Sequence, residues 1–292
     1  MKYIVLKFVL TIISIFRAVI KYNPKAKVTS NHKDNTEICI LGNGPSLIDN
    51  MKNDTNFILD RHSMCVNDFA ESEYFDVIRP RYYLLLDPDY WRKESLKELI
   101  EHREQIFENI NLKTEWKLIL LLPINARNVL NWSMIFGRNQ NIEIVYFNNT
   151  PLTGHKFVIH ELYKYNLGMP PAQNVLVAGI FVAINMGYNK IYIFGADHSW
   201  HEDIVINNQN VVCYKNKHFY DKNDVPLVPW QKGDNSGATW KMHEILMALA
   251  KMFEGYQTLE EYSKYKKTKI YNASKKTSID AFDRYDVKEV SR

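Results

Sequence analysis

Asparagine and aspartate recur in this chain at one kind of place, directly after a short apolar run. Asn43 follows "EICILG", Asn67 follows "HSMCV", Asp87 follows "RYYLLL" and Asp197-His198 follows "KIYIFGA", while Asn174 opens the apolar stretch "NVLVAGIFVAINMGY". A neutral amide can hydrogen-bond a phosphate, a ribose or a base without placing negative charge beside a phosphate. An aspartate beside a histidine can raise and orient the imidazole so that it accepts a proton near neutral pH. Residues of these types at these places suit a site that holds a polar, phosphate-bearing ligand and moves a proton.

The elements that would carry them follow from pattern. "EICILG", "HSMCVNDF", "RYYLLLDPDYW", "WKLILLLP", "IEIVYFN", "KIYIFGAD" and "TKIYNAS" read as strands; "PSLIDNM", "SLKELIEHREQIFENI", "NVLVAGIFVAINMGY" and "WKMHEILMALAKMFEGYQTLEEYSKYK" read as helices, the last as one or two. Strands alternating with helices predict an α/β fold with a mainly parallel sheet. In such a sheet ligands bind beyond the carboxyl ends of the strands, which is where the Asn and Asp residues fall. The loop Gly42-Asn43-Gly44-Pro45-Ser46 has two glycines that allow close approach of backbone to a ligand, and a helix start beyond it that favours an anion. It is neither Gly-x-Gly-x-x-Gly nor a P-loop, and a plain tight turn reads equally well.

Other candidates carry two readings each. His198 is a base or phosphate donor, or Asp197 is a structural cap with His201 facing solvent. His243 lies on a helix beside Glu244 as a base or as a structural helix-face residue, and Trp240 either stacks on a ligand or closes its helix on the core. Asp87-Pro88-Asp89 could hold Mg²⁺ or Mn²⁺, or Pro88 simply ends a strand. The stretch 199–239 has no sustained period and reads as a lid, with short strand pairing around "NVVCYK". In it Tyr214, Lys215, Lys217, His218 and Tyr220 could clamp an anion, and His198, His201 and His218 could together hold Zn²⁺. Cys39, Cys65 and Cys213, an odd number at no metal-ligand spacing, read as buried reduced thiols of a cytosolic protein.

The amino terminus is of another kind. Residues 1–22 are strongly apolar, yet Lys7, Thr11, Ser14, Arg17 and Lys21 are spaced 4, 3, 3 and 4 and share one helical face. That pattern predicts a helix lying in a membrane interface, with a single span or a docking helix as alternatives. Lys25 and Lys27 add attraction to anionic lipid on a cytoplasmic face, and no cleavage site follows the apolar stretch. Residues 23–35 read as a polar linker and 36–292 as one catalytic domain. The net charge of +4 does not call for a nucleic-acid partner.

"ILGNGPSL", "CVND", "LLLDPDYW", "AGIFVAINMGYNKIYIFGADHS" and "KIYNAS" together resemble the bacterial sialyltransferases of glycosyltransferase family 42 and related proteins of surface-polysaccharide loci, over roughly residues 36 to 285. The resemblance implies a Rossmann-like core (a GT-A variant), a lid that closes over the nucleotide, and inverting transfer of sialic acid from its CMP-activated form. It implies no required metal, because a monophosphate leaving group carries less charge than a diphosphate. Asn43 and the Gly42 and Gly44 backbone would line the phosphate and ribose, Asn67 would contact phosphate or sugar, and Asn174 falls where the family presents small hydroxyl side chains. Two places depart from the pattern. The family's base precedes the helix after the lid, where this chain reads "SGATWKMHEI" with His243 about three residues late; its phosphate-binding tyrosines are replaced by "HSWHED". The expectation is a membrane-associated transferase on the cytoplasmic side of the inner membrane, with a nucleotide-sugar donor and a lipid-linked glycan such as lipooligosaccharide, capsule or O-antigen as acceptor. An ATP-dependent pterin-type pyrophosphokinase and a non-catalytic nucleotide-sugar-binding subunit are the rivals, and self-association is compatible with either.

Overall fold

Eight strands between Glu37 and Arg284 form one parallel sheet. In the computed structural model, which describes residues 2–28, 36–215, 217–220, 225–232 and 236–290, these strands are β1 (Glu37–Leu41), β2 (His62–Val66), β3 (Tyr82–Leu84), β4 (Leu118–Pro123), β5 (Ile142–Phe147), β6 (Lys190–Phe194), β10 (Lys269–Asn272) and β11 (Asp283–Arg284). Their spatial order is β11-β10-β6-β1-β2-β3-β4-β5. A separate antiparallel sheet joins β7 (Val205–Ile206), β8 (Val212–Tyr214) and β9 (Val228–Pro229) inside the expected lid. The helices are α1 (Lys2–Ile20), α2 (Leu47–Asn53), α3 (Thr55–Leu59), α4 (Tyr74–Ile78), α5 (Lys97–Lys113), α6 (Trp132–Phe136), α7 (Lys156–Lys164), α8 (Val175–Met186), α9 (Met242–Lys266) and α10 (Val287–Val290). The fold is α/β and Rossmann-like, as the alternation of strands and helices predicts. The pattern missed α3, α4, α6, α7 and α10, none longer than the nine residues of α7, and β11, which is two residues long; the 242–266 region, read as one helix or two, is one.

Alternation along each strand divides the core. Ile38, Ile40, Met64, Val66, Leu84, Leu121, Ile191 and Ile193 face one layer, with α8 and α9. Cys39, Leu41, Cys65, Tyr83, Leu120, Tyr192 and Phe194 face the other, with α2, α3, α5 and α6. Both faces are covered, so these strands are continuous apolar runs rather than half-polar ones. α8 explains its own composition: it lies on β1 and β2 beneath α9, and all its residues from Leu176 to Ile184 are buried. The three cysteines are free and buried, and burial pushes the Cys39 and Cys65 thiols well above the usual range.

Chain order reverses between β1 and β6. From β1 the sheet runs outward through β2 to β5; from β6 it runs the other way through β10 to β11. Leu41 is level with Phe194, so the loops leaving β1 and β6 emerge side by side. This is the switch point, where open α/β sheets form a crevice.

The amino-terminal helix forms, but it is not free of the body. Thr11, Ser14 and Ala18 are buried against the 152–155 segment and α7, and the chain after it packs at once, with Ala26 and Val28 buried. The described part of the expected 23–35 linker is therefore partly core; residues 29–35 lie outside the described residues. No helix among the described residues is long and apolar enough to cross a membrane.

Candidate active site

The loops after β1 and β6 are clasped together, and the clasp accounts for the glycines. Gly42 N–H donates to the Phe194 carbonyl and Gly44 N–H to the Gly195 carbonyl, each at 2.9 Å. A Cβ on Gly42 would lie 2.6 Å from the Gly195 oxygen, and one on Gly44 would overlap the Asp197 carboxylate. The Asp197 carboxylate accepts the Ser46 N–H through Oδ2 at 3.0 Å and the Ser46 hydroxyl through Oδ1 at 2.7 Å. Ser46 is thus spent on Asp197 and does not line the cavity. The expected anion at the start of α2 is the protein's own. Burial raises the Asp197 pKa, and the two Ser46 bonds and the nearby Lys276 oppose that rise.

Beyond the clasp lies a cavity of about 600 Å³. Of the predicted residues, Gly42, Asn43, Gly44, Pro45, Asn67, Asp87, Asn174, Asp197 and His198 all line it. So do Asn125 and Asn149, which sequence reasoning missed although each stands two residues beyond a strand it had identified, β4 and β5. Every strand from β1 to β6 therefore delivers an Asn or Asp to one rim. Trp91, Met169 and Pro151 supply apolar wall, and Lys215, Lys217 and His218 reach in from the lid. The lid is pinned: Phe219 N–H donates to the Asn43 carbonyl at 3.2 Å, and the buried Phe219 ring sits 5.4 Å from that of Phe69.

Two of the amides have fixed orientation. The Asn43 Nδ2 donates to the Val66 carbonyl at 3.1 Å, which can only accept, so its Oδ1 is the free end. The Asn174 Oδ1 accepts from the Val177 N–H and from the Tyr256 hydroxyl, both at 3.1 Å, which leaves its Nδ2 as the free end. Among the described residues, Asn43 Oδ1 and Asn174 Nδ2 are buried without a hydrogen-bond partner. Each such group costs about 1–3 kcal/mol if nothing meets it. Both residues line the cavity, and each keeps one polar atom that the protein leaves unsatisfied, an acceptor on Asn43 and a donor on Asn174. Asn67 and His198 both hold left-handed backbone, at φ 47° and 51°, a region that Asn and His enter more readily than most non-glycine residues.

His198 is not partnered by Asp197. Its ring is sandwiched between Trp200 and Tyr256, with centroids at 5.0 and 5.3 Å, and its Nε2 is bonded to the Tyr256 hydroxyl. Burial lowers its pKa to about 3, which makes it a poor proton acceptor at neutral pH. Asp87 differs. It is open to the cavity yet walled by protein, and that partial desolvation raises its pKa while the Asp89 N–H, donating at 3.0 Å, opposes the rise.

The remaining candidates lie elsewhere. His243 is exposed on the first turn of α9, and Trp240 lies beneath the Lys232 ammonium, 4.9 Å from its ring, rather than on the cavity. Tyr214 stacks on Trp230 at 4.2 Å, and Tyr220 lies against Phe219. Asp89 pairs with Arg92 at 3.6 Å and is absent from the lining. Among the described residues no three His, Cys, Asp or Glu side chains gather as metal ligands, so His198, His201 and His218 do not form a zinc site.

No protein-family model matches the chain. No curated protein matches it either. Among solved structures it is similar to the MAf glycosyltransferase from Magnetospirillum magneticum AMB-1, at 16% identity and a TM-score of 0.46, over 92% of this chain and 37% of that one. The chain thus spans little more than a third of that protein's length.

Two outcomes follow from this geometry. Gly44→Ala drives a methyl into the Asp197 carboxylate and should cost about 1–3 kcal/mol in urea unfolding. The His198 effect depends on pH. The unfolded chain takes up a proton near pH 6.5 that the folded chain refuses until about pH 3, so stability falls as pH drops across that window, by at most about 1.4 kcal/mol per unit. Replacing His198 with Gln should flatten the difference in unfolding free energy between pH 7 and pH 5 relative to the parent.

Proposed function

We propose that this chain is an inverting glycosyltransferase that draws on a CMP-activated sugar and acts at a membrane surface on a lipid-linked glycan. The observation that carries the reading is the cavity at the β1/β6 switch point, rimmed by an Asn or Asp from each of six strands and faced by a lid bearing Lys215 and Lys217. Its volume of about 600 Å³ suits a nucleotide with a sugar attached. Asp68, Asp87, Asp197 and Asp203 also line the cavity, and Lys215 and Lys217 supply the cationic side that a monophosphate needs. The resemblance of the Gly42–Ser46 and 178–199 segments to family 42 sialyltransferases supports cytidine as the base and sialic acid or a related keto-sugar as the group moved.

In this reading an acceptor hydroxyl attacks the anomeric carbon as the bond to the phosphate oxygen breaks, and CMP departs. Lys215 and Lys217 meet the charge that develops on the phosphate. Asn43 accepts a hydrogen bond from ribose or base, since a phosphate has no proton to give its Oδ1, and Asn174 donates to the sugar or phosphate. Asp87 takes the hydroxyl proton: its pKa is shifted up and its carboxylate is open to the cavity, where His198 is neutral and enclosed. Asp197 and His198 hold the walls rather than react.

The test is thermal shift with CMP, UDP and ATP, each in EDTA and in Mg²⁺. CMP should stabilise in EDTA, and Asn43→Ala should weaken that binding by about 1–3 kcal/mol. Asp87→Asn should keep CMP affinity and lose about 10²–10⁴-fold in transfer rate. Stabilisation by ATP only with Mg²⁺ would replace this reading with a pyrophosphokinase, and CMP binding without transfer to any glycan acceptor would leave a binding subunit.

A further inference from the structure

Helix α1 is docked back to front. Its polar stripe faces the protein: Ser14 Oγ donates to the Thr153 carbonyl at 2.7 Å and accepts from the Thr153 N–H at 2.9 Å, and Thr11 Oγ1 accepts from the His155 N–H at 2.7 Å. Between them Gly154, at φ 148°, lies against Thr11 so closely that a Cβ would sit 2.8 Å from the Thr11 backbone. The apolar remainder faces outward, with Ile4, Phe8, Phe16 and Val19 between 65% and 73% exposed, and Phe157 of the adjoining α7 is 70% exposed. A helix apolar over most of its circumference is not built to face water.

Charge selects what covers it. The helix and the segment after it carry Lys7, Arg17, Lys21, Lys25 and Lys27, and no acidic residue occurs before Asp34. A second copy of the chain would bring two such cationic sets together, whereas acidic lipid headgroups neutralise them while the acyl region takes the Ile and Phe side chains. The segment that grips α1 also continues into the cavity wall. Leu152 N–H donates to the Met169 carbonyl at 3.0 Å and Met169 N–H to that of Thr150 at 2.9 Å, and Asn149, Pro151 and Met169 line the cavity.

We propose that α1 seats in an anionic bilayer surface by its outward apolar face while Thr11 and Ser14 stay bonded to 153–155, so that lipid contact and one wall of the cavity form a single rigid piece. The cavity then opens beside the bilayer that holds its acceptor. The lipid contact stands on α1 alone, and only the delivery of an acceptor rests on the proposed transferase reading.

The full chain is floated with phosphatidylcholine vesicles with and without phosphatidylglycerol. It should float with the anionic vesicles, less so at high salt, and Phe8→Glu/Phe16→Glu should reduce the bound fraction at least about tenfold. Its thermal shift with CMP should be that of the parent. Hydrogen exchange should find the Thr153 and His155 amides protected in solution and still protected on vesicles. A parent that stays in the aqueous phase or self-associates by sedimentation, or a double variant that floats equally well, overturns the lipid contact. Loss of Thr153 and His155 protection on vesicles overturns the rigid docking. Failure of CMP to bind would strike the transferase reading and leave these results standing.

Discussion

The hydrogen bonds between the Asp197 carboxylate and Ser46 are the interaction on which the site depends. Chain order reverses between β1 and β6, so two loops that are about 150 residues apart in sequence must be held in contact to make one floor. Hydrogen bonds to a charged group are worth about 1.5–3 kcal/mol each, and Asp197 makes two to one residue. They hold only because Gly42, Gly44 and Gly195 keep the backbones close enough. The lid depends on the same clasp, since Phe219 hangs on the Asn43 carbonyl within it.

Around that floor the structure holds groups in states a relaxed chain would avoid. Asn67 and His198 hold left-handed backbone, and Asn43 and Asn174 each hold a buried polar atom aimed away from the partner that fixes the amide. His198, Tyr256 and Asn174 form a hydrogen-bonded chain from one wall to the start of α8, and the Tyr256 hydroxyl and the Val177 N–H together hold the Asn174 amide. Preorganisation of this kind lowers the cost of ordering a ligand, because the protein has already met that cost in folding.

The amino-terminal helix obeys the opposite economy from a surface helix. Burying a Val, Leu, Ile or Phe side chain stabilises by about 1.5–3 kcal/mol, yet α1 leaves most of its own outside and buries Thr11, Ser14 and Ala18. The small side chains let its backbone approach Gly154 closely, and the hydroxyls satisfy Thr153 and His155 amides that would otherwise be sealed under the helix.

Most of the fold was legible, and so was part of the rim. Continuous apolar runs located β1 to β6 and β10, the run from Val175 to Met186 located a helix buried on most sides, and Asn43, Asn67 and Asp87 stood out as strand-end residues. Asn125 and Asn149 carried the same signal and were passed over. The partners were not legible. Asp197 beside His198 in sequence suggested a couple, but successive residues leave a strand end in different directions, and the carboxylate turned to Ser46 while the ring turned to Tyr256. His243 and Trp240 could be placed near the lid by sequence but not relative to the cavity. The spacing of Thr11, Ser14 and Arg17 determined that α1 is two-faced; only the docked structure decided which face turns inward. The sequence by itself determined periodicity, and hence elements and sheet, because these arise from contacts repeated along the chain. Tertiary structure alone decided pairing, orientation and pKa, because those are set by neighbours that the chain brings together from far apart.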